Sequence, residues 1–242
     1  MKLTLSQIQS ITLGASRICE ENDGIHFYRF TKEQEDFYAG YREDFHVKTF
    51  ATSGICLSFR TNSRKLFLEA DVAIRSSRSY FSFDLVINGK LSDTLQNFDE
   101  STLPRIYCYE DYPSGEVSKE FTLPDGEKEV KLIFPWGASA VIKQILLDDG
   151  ATIIPVKPAK KLLAFGDSIT HGYDALYPSH KYITRLADFL NAEEHNKAIG
   201  GEVFTPGLSL LKEDYTPDYI TVAYGTNDWK HRRDESALNA AK

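Results

Sequence analysis

The sequence predicts two domains, an N-terminal antiparallel β-sandwich over residues 1–150 and a C-terminal α/β domain with a parallel sheet over residues 160–242. The first half predicts a sandwich because it contains many short strand-like runs with turns between them and no helical pattern. The second half predicts a parallel sheet because continuous apolar runs alternate with a helical pattern. Residues 151–159, which contain two prolines, are the predicted linker.

Nine runs between His26 and Asp148 predict the strands of the sandwich, because they are rich in β-branched and aromatic residues and several alternate apolar with polar positions. Asn88-Gly89 predicts a type I′ hairpin, and Asp125-Gly126 predicts a further turn. The runs are HFYRF, VKTFAT, ICLSFR, KLFLEADVAI, YFSFDLVI, IYCYE, KEFTL, EVKLIF and VIKQILL. This spacing favours a jelly-roll-like sandwich, with a closed barrel as the alternative.

The second half is predicted to have the order β-α-β-α-β. The apolar run KLLAFG predicts the first strand, and apolar residues at helical spacing predict a crossover helix over residues 181–190. A short strand over residues 195–199, a short helix over 208–212 and a buried strand over 218–224 follow. Such a doubly wound, flavodoxin-like sheet has right-handed crossovers and binds ligands beyond the carboxyl ends of its strands.

Polar segments follow each of the three predicted parallel strands. They are Gly166-Asp167-Ser168, NKAIGG ending at Gly201, and YGTNDW, which contains Asn227. Because the carboxyl ends of parallel strands share one edge of a sheet, we expect these segments to converge. The Ser168 hydroxyl could act as a nucleophile, and its own N–H, the Gly201 N–H and the Asn227 amide could form an oxyanion hole.

The ordered set GDSIT, NKAIGG and GTND resembles the SGNH hydrolase superfamily, also called GDSL esterases and lipases. The resemblance implies that Ser168 is the nucleophile, that Gly201 and Asn227 are oxyanion donors, and that Asp167 steadies the turn. Gly200 is a competing candidate, but Gly201 fits the family spacing N-x-x-x-x-G. A sandwich before the GDS block resembles two-domain members that are carbohydrate esterases and related acyl transferases.

The general base is the point at which the sequence departs from the superfamily, whose members supply it from a late D-x-x-H block. No D-x-x-H follows Asn227. The resemblance therefore implies an SGNH domain that is incomplete at its C-terminus, with very low activity and an exposed sheet edge that could promote homo-oligomers. His171 and His231 are weak substitutes for the base, and a structural or surface role is the simpler interpretation of each.

Composition narrows the classes of partner. The net charge of −7 provides no basic field for nucleic acid. The N-terminus has no signal-peptide h-region and no stretch approaches the roughly 20 apolar residues of a membrane span, so we expect a cytoplasmic protein without membrane contact. Cys19, Cys56 and Cys108 lack the spacing of a disulfide framework or a zinc site, and no cofactor or metal is expected.

These observations predict a serine esterase that hydrolyses acetyl or other short O-acyl esters, on a carbohydrate, through an acyl-serine intermediate. Two alternatives remain open. The chain could be a carbohydrate-binding protein that acts through its sandwich, or an acyltransferase that delivers the acyl group to a small-molecule hydroxyl. Trp136, Tyr107, Tyr109 and Tyr112 could stack on a sugar ring, although core and rim packing is the simpler interpretation.

Overall fold

The computed structural model describes residues 1–101 and 112–232, so the predicted strand IYCYE, with Tyr107, Cys108 and Tyr109, lies outside the described residues. Two antiparallel sheets form the N-terminal part. Their strands are β1 (Thr12–Leu13), β2 (Arg17–Glu21), β3 (Gly24–Tyr28), β4 (Cys56–Thr61), β5 (Lys65–Ile74), β6 (Ser82–Ile87), β7 (Lys90–Gln96), β8 (Gly115–Thr122), β9 (Lys128–Ile133), β10 (Ala138–Leu147) and β11 (Ile154–Pro155). The first sheet has the order β1-β4-β9-β6-β7, and β11 pairs with β4 as a further strand. The second sheet has the order β2-β3-β10-β5-β8.

The two antiparallel sheets pack face to face around one core. Phe59 and Leu132 of the first sheet and Leu68 and Ile142 of the second are fully buried in a single apolar cluster. The burial alternation along β10 changes phase near Lys143, where the pairing with β5 shifts by one residue. The antiparallel sheets are confirmed, whereas the jelly-roll connectivity and the domain boundaries stay predictions.

The β6–β7 hairpin turns as its sequence predicts. Ile87 pairs with Lys90, which leaves the two-residue loop Asn88-Gly89. Both loop residues have positive φ, 50° at Asn88 and 78° at Gly89. A type I′ turn requires this conformation at both central positions, and Asn-Gly adopts it at low cost.

Two helices lie between β3 and β4, where the sequence pattern predicts none. They are α2 (Lys32–Tyr41) and α3 (Glu43–Thr49), and they follow α1 (Leu5–Ile11). A capping box begins α2, because the Thr31 hydroxyl accepts from the Gln34 N–H while the Gln34 side chain accepts from the Thr31 N–H. The predicted strand VKTFAT is wrong, since its first residues end α3.

The parallel sheet consists of β12 (Lys160–Gly166), β13 (Ala192–Asn196) and β14 (Tyr219–Ala223), in the order β13-β12-β14. The predicted crossover helix lies between its first two strands, but a 3-10 turn at Pro206–Leu210 stands where the second helix was predicted. The second strand begins three residues earlier than predicted. The third strand is not buried, because β14 forms one edge of the described sheet and exposes Ile220 and Val222. Homo-oligomerisation through this edge stays a prediction. The other elements are α4 (Ser168–His171), α5 (Tyr182–Leu190), α6 (Thr226–Arg232) and a further 3-10 turn at Pro178–His180.

The α5 helix covers one face of this sheet with an apolar stripe. Ile183 and Ala187 are buried against β12, while Phe189 on the opposite face is 85% exposed. The described residues include no helix with both the length and the apolar character needed to cross a bilayer.

The predicted linker is partly a strand of the sandwich. Ile154 and Pro155 pair with β4, and the Val156 N–H donates to the Ser58 carbonyl at 3.1 Å. The chain therefore leaves the first sheet only a few residues before it enters β12.

Buried polar groups join the two halves of the molecule. The Arg29 guanidinium is 1% exposed and donates to four backbone carbonyls. Two of them, on Lys48 and Ala51, lie in the N-terminal half, and two, on Asn196 and Ala198, lie at the end of β13 and just beyond it, all at 2.8–2.9 Å. Because one side chain bonds to carbonyls of both halves, Arg29 holds the end of β13 against the N-terminal helices.

A buried ion pair adds to this junction. The Lys181 ammonium donates to the Glu194 carboxylate at 2.8 Å and to the Ser53 hydroxyl of the N-terminal half at 2.9 Å. Both charged groups are almost completely buried, so each depends on the other.

Candidate active site

Ser168 is the first residue of α4, immediately after the turn that follows β12. Asp167 caps this helix, since its carboxylate accepts from the Ile169 N–H at 3.0 Å. Burial, and secondly the charge of Asp228, raises the pKa of the Asp167 carboxyl. Ser168 is half-buried, and no hydrogen bond of its N–H or hydroxyl occurs within the described part of the chain. A free N–H is expected at the first position of a helix.

The last residue of β12 has to be a glycine. A Cβ at Gly166 would lie 2.7 Å from the Cβ of Thr170 and 2.9 Å from the Ala223 carbonyl oxygen. The motif GDSIT therefore places its glycine and its threonine in direct contact, which folds α4 tightly back onto the end of β12.

The segment after β13 continues alongside β12 and ends in two glycines with different environments. The Ile199 N–H donates to the Gly166 carbonyl at 3.1 Å. Gly200 is buried, and its N–H donates to Nδ1 of His171 at 3.1 Å. Gly201 is exposed with φ of 88°, and its N–H has no acceptor among the residues described. Of these two glycines, only Gly201 thus has an amide hydrogen available for a ligand.

The start of α6, which follows β14, is hydrogen-bonded to the residues directly after these glycines through Asn227 and Asp228. The Asn227 side-chain amide donates to the Glu202 carbonyl at 2.9 Å, and both oxygens of Asp228 accept from the Phe204 N–H at 3.1 Å. The Asp167 N–H also reaches the Ala223 carbonyl, at 3.4 Å. The structure therefore brings the segments of Ser168, Gly201 and Asn227 together at one edge of the parallel sheet.

His171 has no free ring nitrogen for Ser168. Its Nε2 lies 2.9 Å from the Trp136 carbonyl and its Nδ1 accepts from Gly200, a pair of partners that fits a neutral ring protonated on Nε2. The ring is fully buried. Burial, with the charges of Arg29 and Lys181, holds its pKa well below 6.5. His171 therefore supports the glycine loop rather than a proton transfer.

The other histidines also have contacts of their own. Within the set of described side chains, none is hydrogen-bonded to the Ser168 hydroxyl. His231 lies in α6, and its side chain is outside the description. The recorded partners are Asp23 for His26, Phe50 for His46, Tyr177 for His180, and Tyr215 with Glu193 for His195.

A buried carboxyl behind Gly201 was missed by the sequence analysis. Glu202 is fully buried and accepts from the Tyr38 hydroxyl at 2.6 Å and from the Tyr224 hydroxyl at 3.1 Å. Burial raises the pKa of its carboxyl to about 8. The only signal in the sequence was an acidic residue directly after the glycine pair, and nothing in it pointed to Tyr38.

Trp136 belongs to the core and not to an exposed stacking surface. It is 2% exposed, its indole N–H donates to the Ala175 carbonyl at 2.7 Å, and its ring packs on Tyr80 and Tyr173. Of the tyrosines considered with it, Tyr112 is half-buried beside Tyr80.

One group within the described ranges has ligand atoms close enough together for a metal ion. Glu21, Asp23 and His26 in the β2–β3 hairpin have these atoms within 4.8 Å of one another. The carboxylates are exposed, and Nε2 of His26 is hydrogen-bonded to Asp23 at 2.7 Å.

Residues 164–241 match the model of the GDSL-like Lipase/Acylhydrolase family. The match supports the resemblance of this part of the chain to the SGNH hydrolase superfamily. The matched SGNH segment contains Ser168, Gly201 and Asn227, the residues that the resemblance in the sequence singled out. A search of curated proteins finds no match.

Solved structures with the same fold include enzymes that act on acyl groups. A salicylyl-acyltransferase, SsfX3, from a tetracycline biosynthetic pathway aligns with a TM-score of 0.72 at 22% identity over 90% of this chain and 61% of its own. A putative GDSL-like lipase from Bacteroides ovatus gives 0.68 at 16% identity, over 94% and 65%. The acetyl xylan esterase Est2A from Butyrivibrio proteoclasticus gives 0.58 at 19%, over 94% and 64%. This chain thus spans less than two thirds of each of these structures.

Proposed function

We propose that this protein is a serine acyl-ester hydrolase that removes acetyl or another short acyl group from a carbohydrate. One observation carries the proposal. The segments of Ser168, Gly201 and Asn227 are hydrogen-bonded together at the carboxyl edge of the sheet, while the Ser168 and Gly201 N–H groups have no acceptor among the described residues. Free amide hydrogens beside a serine hydroxyl suit the anionic oxygen of a tetrahedral acyl intermediate.

The reaction would proceed in two steps. The Ser168 hydroxyl oxygen forms a bond to the acyl carbonyl carbon, the ester C–O bond breaks, and the alcohol leaves with the serine proton. Water then attacks the acyl-serine, which releases the carboxylic acid and restores the hydroxyl. The Ser168 and Gly201 amides and the Asn227 side chain would bind the oxyanion in both steps.

The described residues provide no imidazole bonded to Ser168, so we expect slow turnover from this chain. In a serine hydrolase, loss of the histidine can lower turnover by about 10⁶-fold, with a residual acceleration of roughly 10³–10⁴ over water from the oxyanion hole and binding. Fast turnover of 4-nitrophenyl acetate by this chain would contradict this expectation.

The test of the serine chemistry is hydrolysis of 4-nitrophenyl acetate by the purified protein and by Ser168→Ala. We expect Ser168→Ala to remove all turnover above the spontaneous rate, because the acyl-enzyme can no longer form. Ser92→Ala, at an exposed position of β7, is the matched control and should leave the rate unchanged. A rate that survives in Ser168→Ala would overturn the proposal.

Acyl transfer to a small-molecule hydroxyl is the second candidate, and the similarity to the salicylyl-acyltransferase favours it. Both reactions share the acyl-serine, so product analysis in the presence of an added alcohol separates them. Transferase activity predicts ester formation that increases with alcohol concentration at the expense of free acid. Carbohydrate binding without catalysis is supported less, since the buried Trp136 offers no ring face to a sugar.

A further inference from the structure

Lys48, on α3 of the N-terminal half, contacts the peptide unit that carries the Gly201 N–H. Its ammonium donates to the Gly200 carbonyl oxygen at 2.8 Å across 152 residues of sequence. The Gly200 carbonyl and the Gly201 N–H belong to one planar peptide group, so whatever orients the carbonyl also orients the N–H on its opposite side. The side chain is 16% exposed, which places this contact largely out of water.

The same helix lies next to the face of Gly201. A Cβ at Gly201 would lie 3.7 Å from the Phe45 ring and 3.9 Å from the Lys48 ammonium. The neighbouring helix α2 supplies Tyr38, which binds Glu202 directly after this glycine. Tyr38 and Phe45 also belong to one buried cluster with Ile199, so α2 and α3 form the surroundings of the glycine loop.

Gly200 is held on both of its polar groups. Its N–H donates to His171 of the SGNH segment, and its carbonyl accepts from Lys48. Because these two hydrogen bonds fix the peptide planes on either side of the Gly200 Cα, they also fix the direction of the Gly201 N–H.

The charge of Lys48 also affects the strength of the Gly201 donor. A hydrogen bond from a cation to a carbonyl polarises the peptide group and makes its N–H a stronger donor, by roughly 10–30% per bond in condensed-phase estimates. Asp44 lies 3.3 Å from the same ammonium but is half exposed, so water screens its opposing charge.

We propose that Lys48 is a positioning residue of the oxyanion hole, which fixes the plane of the Gly200–Gly201 peptide and strengthens the Gly201 N–H toward an anionic oxygen. This inference rests on the proposed function. It assigns to the N-terminal half a part in catalysis, because Lys48 would act on the reaction through Gly201 without touching the substrate.

The sequence offers a direct probe of this peptide, because Gly200-Gly201 is its only Gly-Gly pair. The full chain is labelled with glycine that carries ¹³C in its carbonyl and ¹⁵N in its amide. Only a Gly-Gly peptide bond then joins ¹³C directly to ¹⁵N, so an NMR experiment that selects this bond gives one signal, from the Gly200 carbonyl and the Gly201 amide. Loss of a hydrogen bond at the carbonyl oxygen moves the ¹³C resonance upfield.

Lys48→Met keeps the packing of the aliphatic stem and removes the ammonium. We expect the Gly200 carbonyl and Gly201 amide signal to move upfield in Lys48→Met, and to return toward its original position in Lys48→Arg. The matched control is Lys32→Met, which removes another lysine paired with an aspartate four residues away, on the exposed surface of α2. A signal unmoved in Lys48→Met would overturn the inference.

The kinetics of 4-nitrophenyl acetate hydrolysis test whether Lys48 affects catalysis. Lys48→Met should lower kcat about tenfold with KM unchanged, which is less than the roughly 10²–10³-fold loss for removal of an oxyanion donor itself. Lys32→Met should match the unmodified protein. If the Gly200–Gly201 signal moves in Lys48→Met while the Ser168-dependent kcat stays unchanged, the role of Lys48 in catalysis is overturned. If no turnover depends on Ser168, the proposed function fails, and the signal alone then decides whether Lys48 holds this peptide.

Discussion

Replacing Arg29 with methionine lowers the free energy of unfolding by about 3–5 kcal/mol, in the range seen when one partner of a buried charged network is removed. The physical reason is that four backbone carbonyls lose the guanidinium at once, although the Lys48 carbonyl keeps the Ala51 N–H at 3.3 Å, and two of the four lie in the segment that leads to Gly200 and Gly201. A buried acceptor without a partner costs about 1–3 kcal/mol, and local rearrangement recovers part of the sum. Urea unfolding followed by tryptophan fluorescence measures the loss.

The matched control is Arg64→Met. Arg64 forms an ion pair with Asp125 at 2.8 Å, but its side chain is 75% exposed. Exposed pairs of this kind contribute about 0–1 kcal/mol, so Arg64→Met should remain close to the unmodified protein. Equal unfolding free energies for Arg29→Met and Arg64→Met would show that the Arg29 contacts contribute little to stability.

Replacing Glu202 with glutamine removes a large part of the pH dependence of stability. Burial raises the pKa of this carboxyl to about 8, against 4.5 as its ordinary value. The folded protein therefore binds more protons than the unfolded chain between these two pKa values. The contribution of Glu202 to stability is complete below about pH 4.5 and decreases as the pH rises toward 8. From pH 5 to 9 the loss through this group is on the order of 4 kcal/mol.

Urea unfolding at pH 5, 7 and 9 tests this expectation, because glutamine imitates the protonated carboxyl and cannot ionise. Glu202→Gln should have nearly the stability of the unmodified protein at pH 5 and clearly exceed it at pH 9. Glu116→Gln, at an exposed position of β8, is the control and should follow the unmodified protein at every pH. A constant difference between Glu202→Gln and the unmodified protein across this range would mean that Glu202 ionises normally in the fold.

Local sequence signals account for the parts of the fold that were predicted correctly. The Asn88-Gly89 turn is set by the φ values of its own two residues, and GDSIT is set by contacts between residues four positions apart. The Thr31 and Gln34 capping box was also a local signal, and it would have predicted α2. The strand predicted over VKTFAT failed because its first three residues continue α3, in which Thr49 is buried and Val47 is exposed.

Contacts between distant segments account for what the sequence could not predict. Lys48 and Gly200 are 152 residues apart, and Tyr38 and Glu202 are 164 residues apart. No periodicity or motif connects such positions, since each pair meets only after both halves have folded. The same holds for the contacts of His171. Its position three residues after Ser168 made it a weak candidate for the base, and Trp136 and Gly200 occupy both of its ring nitrogens.

The pairing of Ile154 and Pro155 with β4 limits how the two halves can move relative to each other. Because Val156 is still hydrogen-bonded to the first sheet and β12 begins at Lys160, only residues 157–159 connect the two without pairing. Rigid-body opening between the halves would also have to break the Arg29 and Lys181 contacts. A substrate of the proposed site would therefore meet a glycine loop that is already in place, and we expect its association to be a single kinetic phase without a slow isomerisation.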